Sequence, residues 1–184
     1  MNQNLIQKKH PPGNELQLQL LINSDQIEER LERVARQLEE LYHGQELTIV
    51  MIMKGAFILI ADLMRHLHLP VRLDSIHCSS YTHGSKGELT VKGVDDLEIA
   101  GKHILVIDDI FDTGETLAEV VSQVEKKDPA SVKSLVLLSK DVPHNTDYRP
   151  DIALFDIEDR FVVGYGLDYK EYYRGLPDIY AIER

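Results

Sequence analysis

The run Ile104–Leu117, ILVIDDIFDTGETL, concentrates the chain's reactive side chains. Four apolar residues lead to Asp108 and Asp109, and the loop Asp112–Thr116 then opens onto a helical pattern. Ligands of open α/β sheets bind at the carboxyl ends of strands, and the first N–H groups of a helix suit a phosphate. Thr113 and Thr116 add hydroxyl donors, and Gly114 lets the backbone approach closely. A phosphate ester is the expected ligand. Three carboxylates beside it would repel an anion unless a cation or hydroxyls intervene, which fits Mg²⁺ and the hydroxyls of a sugar. The plain alternative makes Asp108, Asp109 and Asp112 turn and capping residues on a solvated edge. Two other motifs do not fit. A haloacid-dehalogenase loop needs a second aspartate where Ile110 stands, and no Gly-Lys-Ser/Thr closes a Walker A loop.

These residues need a scaffold, and the chain supplies one. From an N-cap at Asn23 or Ser24, Ile27, Leu31, Val34, Leu38 and Leu41 recur at spacings of 4, 3, 4 and 3, which predicts an amphipathic helix. LTIVMIM (47–53) is continuously apolar, as suits a strand buried on both faces, and a helix over 56–67 follows it, ended by Pro70. VRLDSIHC (71–78) predicts a strand, and SSYTHGSKGE (79–88) a mobile loop. A strand over 103–109, a helix over 114–127 and a strand over 131–140 complete a rhythm that implies parallel pairing with right-handed crossovers. Two short strands are expected at 152–157 and 161–166. Residues 1–20, polar and carrying Pro11, Pro12 and Gly13, read as an arm with a short strand at its end, and residues 21–184 as one domain. The terminal segments could cap one end of the sheet.

The chain has 184 residues, enough for a single core, and 43% hydrophobic with 28% charged residues is ordinary for a soluble globular protein. Twenty Lys and Arg against 31 Asp and Glu give a net charge of −11, which argues against nucleic acid or anionic lipid as partners. A single cysteine, Cys78, forms no internal disulfide, and the first residues lack a signal peptide's apolar core, so the expected location is the cytoplasm. The longest apolar runs, IVMIM and AFILIA, fall far short of the roughly 18 residues that span a bilayer. His66 and His68 lie two apart, on different helix faces, and no histidine has a zinc-site spacing around it. Cys78 reads as a small core residue.

VIDDIFDTGET resembles the signature loop of the type I phosphoribosyltransferases, which bind 5-phosphoribosyl 1-diphosphate, and the chain from about residue 20 onward is similar to their hypoxanthine-guanine branch. The other motifs are Lys54-Gly55 after the first long strand, Ser80-Tyr81 in a loop, Lys140 ending a strand, and FVVGYGLDYKEYYR (161–174). Singly each has a bland reading: a solvated turn lysine, a polar loop, an edge lysine, a tyrosine-rich packing segment. Together and in order they imply an α/β fold with a mainly parallel twisted sheet flanked by helices and a small hood.

The resemblance further implies that Asp108 and Asp109 hold the ribose hydroxyls and Mg²⁺, although relatives more often have Glu then Asp there. Asp112 becomes the general acid/base at purine N7, and Thr113, Gly114, Glu115 and Thr116 grip the 5-phosphate. Lys54, Gly55 and Arg174 bind diphosphate, with the Met53–Lys54 peptide able to be cis, and Ser80 and Tyr81 belong to a lid. Lys140 donates to the 6-oxo group, Phe161 stacks on the base, the Val162 backbone meets its Watson–Crick edge, and Asp168 lies near base and a second Mg²⁺. Phe111, where an aliphatic residue is commoner, is expected to affect packing only, and Tyr165, Tyr169, Tyr172 and Tyr173 to be structural. The implied reaction converts hypoxanthine or guanine to IMP or GMP, releasing diphosphate, in a homodimer or homotetramer. The alternatives are a xanthine-preferring enzyme and a non-catalytic sensor of phosphoribosyl diphosphate.

Overall fold

Long apolar runs alternating with amphipathic helices give a layered α/β structure, which a computed structural model describes over residues 16–81 and 88–183. In chain order the elements are β1 (Leu18–Ile22), α1 (Ser24–Leu41), β2 (Leu47–Met53), α2 (Phe57–His66), β3 (Val71–Tyr81) and β4 (Glu88–Lys92). There follow β5 (His103–Phe111), α3 (Glu115–Glu125), β6 (Ser131–Lys140), β7 (Ile152–Ile157), β8 (Val162–Val163) and β9 (Ile179–Ile182). The larger sheet has the order β4-β3-β2-β5-β6-β7. Its inner pairs β2–β3, β2–β5, β5–β6 and β6–β7 are parallel, as expected, and β3–β4 is antiparallel. A three-stranded antiparallel sheet, β1-β9-β8, joins the two ends of the described chain into the expected hood.

Continuous apolarity has a direct consequence, because successive side chains point to opposite faces of a strand. In β5, Leu105 and Ile107 join the core beneath α1 and α2, while Ile104 and Val106 join a second core beneath α3. The phosphate-loop strand is thereby held on both faces, which fixes the direction in which it delivers its aspartates. Asn23 caps α1: its side chain accepts from the Gln26 N–H at 2.9 Å, and Gln26 Oε1 accepts from the Asn23 N–H at 3.0 Å. Ile27, Leu31, Val34 and Leu38 are buried, but Leu41 is 50% exposed and Ala35 completes the buried face instead. A strict 3.5-residue spacing drifts by ~20° per heptad on a straight helix, so two heptads beyond Ile27 carry Leu41 off the core.

Four other expectations need correction. Ser79–Tyr81 are not loop but the end of β3, paired with Thr90, Leu89 and Glu88 of the edge strand β4, where polar side chains are tolerated. Residues 82–87 of that expected loop, and 1–15 of the arm, lie outside the described residues. β5 runs two residues past Asp109, because β6 continues beside it and pairs Ile110 with Leu138 and Phe111 with Ser139. Helix α3 stops at Glu125, and Lys127 instead donates to the carbonyls of Val94 and Asp95. The strand expected over 161–166 shrinks to Val162–Val163, because Gly164, Tyr165 and Gly166 take φ of 101°, 49° and 100° and turn the chain back. β9 gave no distinct signal, since IYAI is too short and too near the chain's end to read alone.

The hood is fastened by Asp178, which is fully buried. Its carboxylate accepts from the Ser24 N–H at the start of α1 (2.8 Å) and from the Tyr180 hydroxyl (2.9 Å). An anion at a helix N-terminus is favourable, so one side chain ties the hood to the layer beside it. Burial and this carboxylate together push the Tyr180 phenol up to about 12.

Candidate active site

The carboxyl ends of β2, β3 and β5 open into a cleft of about 300 Å³ lined by Met53, Cys78, Asp108, Asp109, Asp112–Gly114, Thr116 and Leu117. Gly114 precedes α3 with φ +83°, so the helix begins at the loop, as its glycine suggested. Asp108 is 7% exposed; its Oδ1 accepts from the Asp109 N–H at 2.9 Å, and Asp109 Oδ1 accepts from the Ile110 N–H at 3.0 Å. Burial raises both carboxyls above the ordinary range, Asp108 strongly, and the neighbouring Asp109 charge adds to it. A buried and a half-buried carboxylate side by side are short of positive charge. Hard oxygen donors of this kind, one or two from protein with the rest from substrate, are what Mg²⁺ uses beside phosphates, so the donor set fits that ion.

Three loops converge on Asp109. The Met53–Lys54 peptide is cis, as the resemblance allowed. A Cβ on Gly55 would lie 1.6 Å from Asp109 Oδ2, and one on Gly166 would lie 2.1 Å from the Gly55 carbonyl oxygen. Both positions therefore admit no side chain, and the Lys54 loop, the acidic pair and the turn after β8 are packed backbone to backbone. Lys54 Nζ pairs with Glu171 at 3.1 Å, which lowers the Glu171 carboxyl below its ordinary value. Arg174 forms an ion pair with Asp168 (2.7 Å) and donates to the Gly166 carbonyl (2.8 Å) and Glu171 (3.4 Å), while its buried Nε has no partner. Asp168 also accepts from the Glu171 N–H at 2.8 Å. The structure does not gather Asp168 with Asp108 and Asp109; among the described residues no three carboxylates, histidines or cysteines form one cluster.

A second recess of about 520 Å³ is lined by Lys140, Asp159, Arg160, Phe161, Ile182 and Glu183. Phe161 is 43% exposed there and meets Tyr169 edge-on at 5.6 Å, whereas Val162 is buried in β8. Lys140 joins the two spaces. Its ammonium lies 3.0 Å from Asp112, on the cleft, and 3.2 Å from Asp159, on the recess. Burial pulls the Lys140 pKa down, but the two carboxylates outweigh it and raise it overall. The lysine is thus a fixed cation rather than a proton donor at neutral pH.

Ser80 and Tyr81 lie at the end of β3 beside the cleft's Ser79 and Leu89, their side chains outside the described residues. Cys78 lines the cleft, and burial with the nearby Asp108 charge pushes its thiol up to about 11, so it is inert at neutral pH. Tyr165 and Tyr173 are buried as expected, while Tyr172 is 47% exposed. Asp159 and Glu171 escaped the sequence reading. Their signal was indirect: Lys140 and Lys54 end strands at a shared edge and need counter-charges from whichever loops the topology brings there.

A model of the phosphoribosyl transferase domain matches residues 21–170. The chain is 39% identical over 169 residues to the hypoxanthine-guanine phosphoribosyltransferase of Aquifex aeolicus, covering 90% of this chain and 95% of the relative. With the Streptococcus pneumoniae enzyme of the same name it shares 37% over 162 residues, 87% and 90% of the two chains. Among solved structures, the Bacillus anthracis hypoxanthine-guanine phosphoribosyltransferase superposes with a TM-score of 0.83 at 33% identity, over 92% of this chain and 100% of that one. Hypoxanthine phosphoribosyltransferase from Trypanosoma cruzi, in complex with the product IMP, gives 0.83 at 32% identity over 94% and 98%. By sequence and structure alike this chain belongs to the phosphoribosyltransferase family, on its hypoxanthine-guanine branch.

Proposed function

We propose that the chain transfers the 5-phosphoribosyl group of 5-phosphoribosyl 1-diphosphate to N9 of hypoxanthine or guanine, releasing diphosphate and forming IMP or GMP, with Mg²⁺ as cofactor. The observation that carries the reading is the lysine bridge. A cleft built for an anion and a recess with an exposed aromatic wall share one cation, Lys140, held between Asp112 and Asp159. A ligand with a phosphate at one end and a planar base at the other spans such a pair of spaces.

Thr113–Thr116 present backbone N–H groups and two hydroxyls to the 5-phosphate at the start of α3. Asp108 and Asp109 hold the ribose hydroxyls and would hold Mg²⁺, which when bound neutralises charge on the departing diphosphate. Lys54, Gly55 and Arg174 face the diphosphate, and Asp168 the base and a second ion. Asp112, accessible at the cleft wall, takes or returns the N7 proton as the glycosidic bond forms. Lys140 donates to the 6-oxo group, Phe161 stacks on the ring, and the Val162 backbone reads its edge. Ser80 and Tyr81 belong to a lid that keeps water from the oxocarbenium-like transition state.

Residues 21–184 act as a single domain. The exposed Phe57 on α2 supports a homodimer or homotetramer. A lone, half-buried cysteine supports the cytoplasm, and no described helix is long and apolar enough to cross a membrane. The test is diphosphate release with phosphoribosyl diphosphate and Mg²⁺, offering hypoxanthine, guanine, xanthine and adenine separately. Release is expected with the first two and not with adenine, whose exocyclic amine cannot accept from Lys140. No release with any base overturns the reading.

A further inference from the structure

The connection between β6 and β7, residues 141–151, lies against the back of the phosphate loop and supplies nothing to the chemistry assigned above. Its contacts are specific. His144 Nδ1 lies 2.6 Å from the Asp112 carbonyl oxygen, and since that oxygen only accepts, the ring donates through Nδ1–H. The Asn145 N–H donates to the Thr113 carbonyl at 2.9 Å, and the Asn145 side chain donates to Glu115 at 3.2 Å. The His144 ring packs on Phe111 with centroids 4.7 Å apart, and a Cβ on Gly114 would lie 2.6 Å from the Thr146 methyl and 2.7 Å from the Phe111 ring.

A trans peptide unit is planar, with its C=O and the following N–H pointing in opposite directions. Fixing the Asp112 carbonyl on His144 therefore turns the Thr113 N–H away from the β6–β7 connection. Fixing the Thr113 carbonyl on Asn145 does the same for the Gly114 N–H. Away from the connection means toward the cleft, whose wall includes Thr113, Gly114 and Thr116. Phe111, 1% exposed, packs under both His144 and Gly114, as its packing role leads one to expect.

We propose that His144 is a positioning residue that aims the Thr113 and Gly114 N–H groups at the 5-phosphate, with the Asn145 backbone as its partner and Phe111 as its support. The inference rests on the phosphoribosyltransferase reading of the cleft.

The test compares IMP with inosine, which differ only by the 5-phosphate, as ligands of the purified full chain and its variants. In His144→Ala, IMP affinity is expected to fall about five- to tenfold, the worth of one neutral hydrogen bond with its local ordering, while inosine affinity stays within twofold. His144→Asn, whose amide N–H replaces Nδ1–H, is expected to retain most of the IMP affinity; His144→Gln, whose amide reaches the Nε2 position, is expected not to. Should the alanine variant fail to fold, the Asn and Gln variants carry the comparison. Equal losses for IMP and inosine, or equal affinities in Asn and Gln variants, overturn the proposal. Wild-type protein that binds IMP no better than inosine, and releases no diphosphate, overturns the underlying reading instead.

Discussion

The cleft and the recess face each other across Lys140, yet the chain builds them in opposite ways. The cleft takes its acidic pair and phosphate loop from one continuous run, Asp108–Leu117, and adds the ends of β2 and β3, which are next to β5 or one strand removed. The recess draws on Lys140, on Asp159–Phe161 and on Ile182–Glu183, which meet only when the hood has docked over the sheet. The cleft is thus fixed by local sequence and parallel pairing, whereas the recess is a product of tertiary closure. On the proposed reading this divides the labour: the cleft would recognise what all phosphoribosyl substrates share, and the recess, built from loop ends, would set base preference.

Replacing Asp112, proposed above to handle the N7 proton, is expected to have the largest effect. Asp112→Asn keeps the shape and loses the acid/base group, so turnover should fall by about 10²–10⁴ while the KM for phosphoribosyl diphosphate changes only a few-fold. A loss under tenfold with binding intact would remove Asp112 from the role. Next in size is Lys140→Ala, which severs the bridge from both sides. A hydrogen bond from a charged donor is worth about 1.5–3 kcal/mol, so the KM for hypoxanthine should rise roughly tenfold to a hundredfold. The KM for phosphoribosyl diphosphate should move far less. A rise shared equally by both substrates would mean that cleft and recess are one energetic unit, contrary to the division drawn above.

The same contrast explains what could be read in advance. The five parallel-paired strands and the three helices follow from hydrophobic patterning and 3.6-residue spacing, and the Asp108–Thr116 motif suggests its chemistry because all its parts are adjacent in sequence. The failures are non-local. Asp159 and Glu171 are ordinary acidic residues until the fold sets them against Lys140 and Lys54. His144 and Asn145 sit in a segment, DVPHNTDYRPD, that is mostly turn residues and polar side chains, and only the parallel register of β5 with β6 brings it behind the Asp112–Thr116 loop. The polar stretch 79–81 pairs as strand because an edge needs hydrogen bonds on one side alone, a condition that no local pattern encodes.

The last expected effect concerns the cleft floor, is read in thiol reactivity rather than turnover, and needs no substitution. Cys78 stands in β3 beside Asp108, and its thiol is raised to about 11 by burial first and the carboxylate's charge second. The reactive species is the thiolate, so the sign is fixed: reactivity is low at neutral pH and climbs as pH approaches that value. Alkylation by iodoacetamide at pH 8 should be on the order of 100-fold slower than that of a model thiol with a pKa of about 8.5. The rate should rise about tenfold per pH unit up to the thiol's own titration. Labelling at pH 8 within a few-fold of the model thiol would show a floor already open to water. The acidic pair would then lie at a solvated edge, burial would no longer account for its raised carboxyls, and the contrast with the recess would rest on chain connectivity alone.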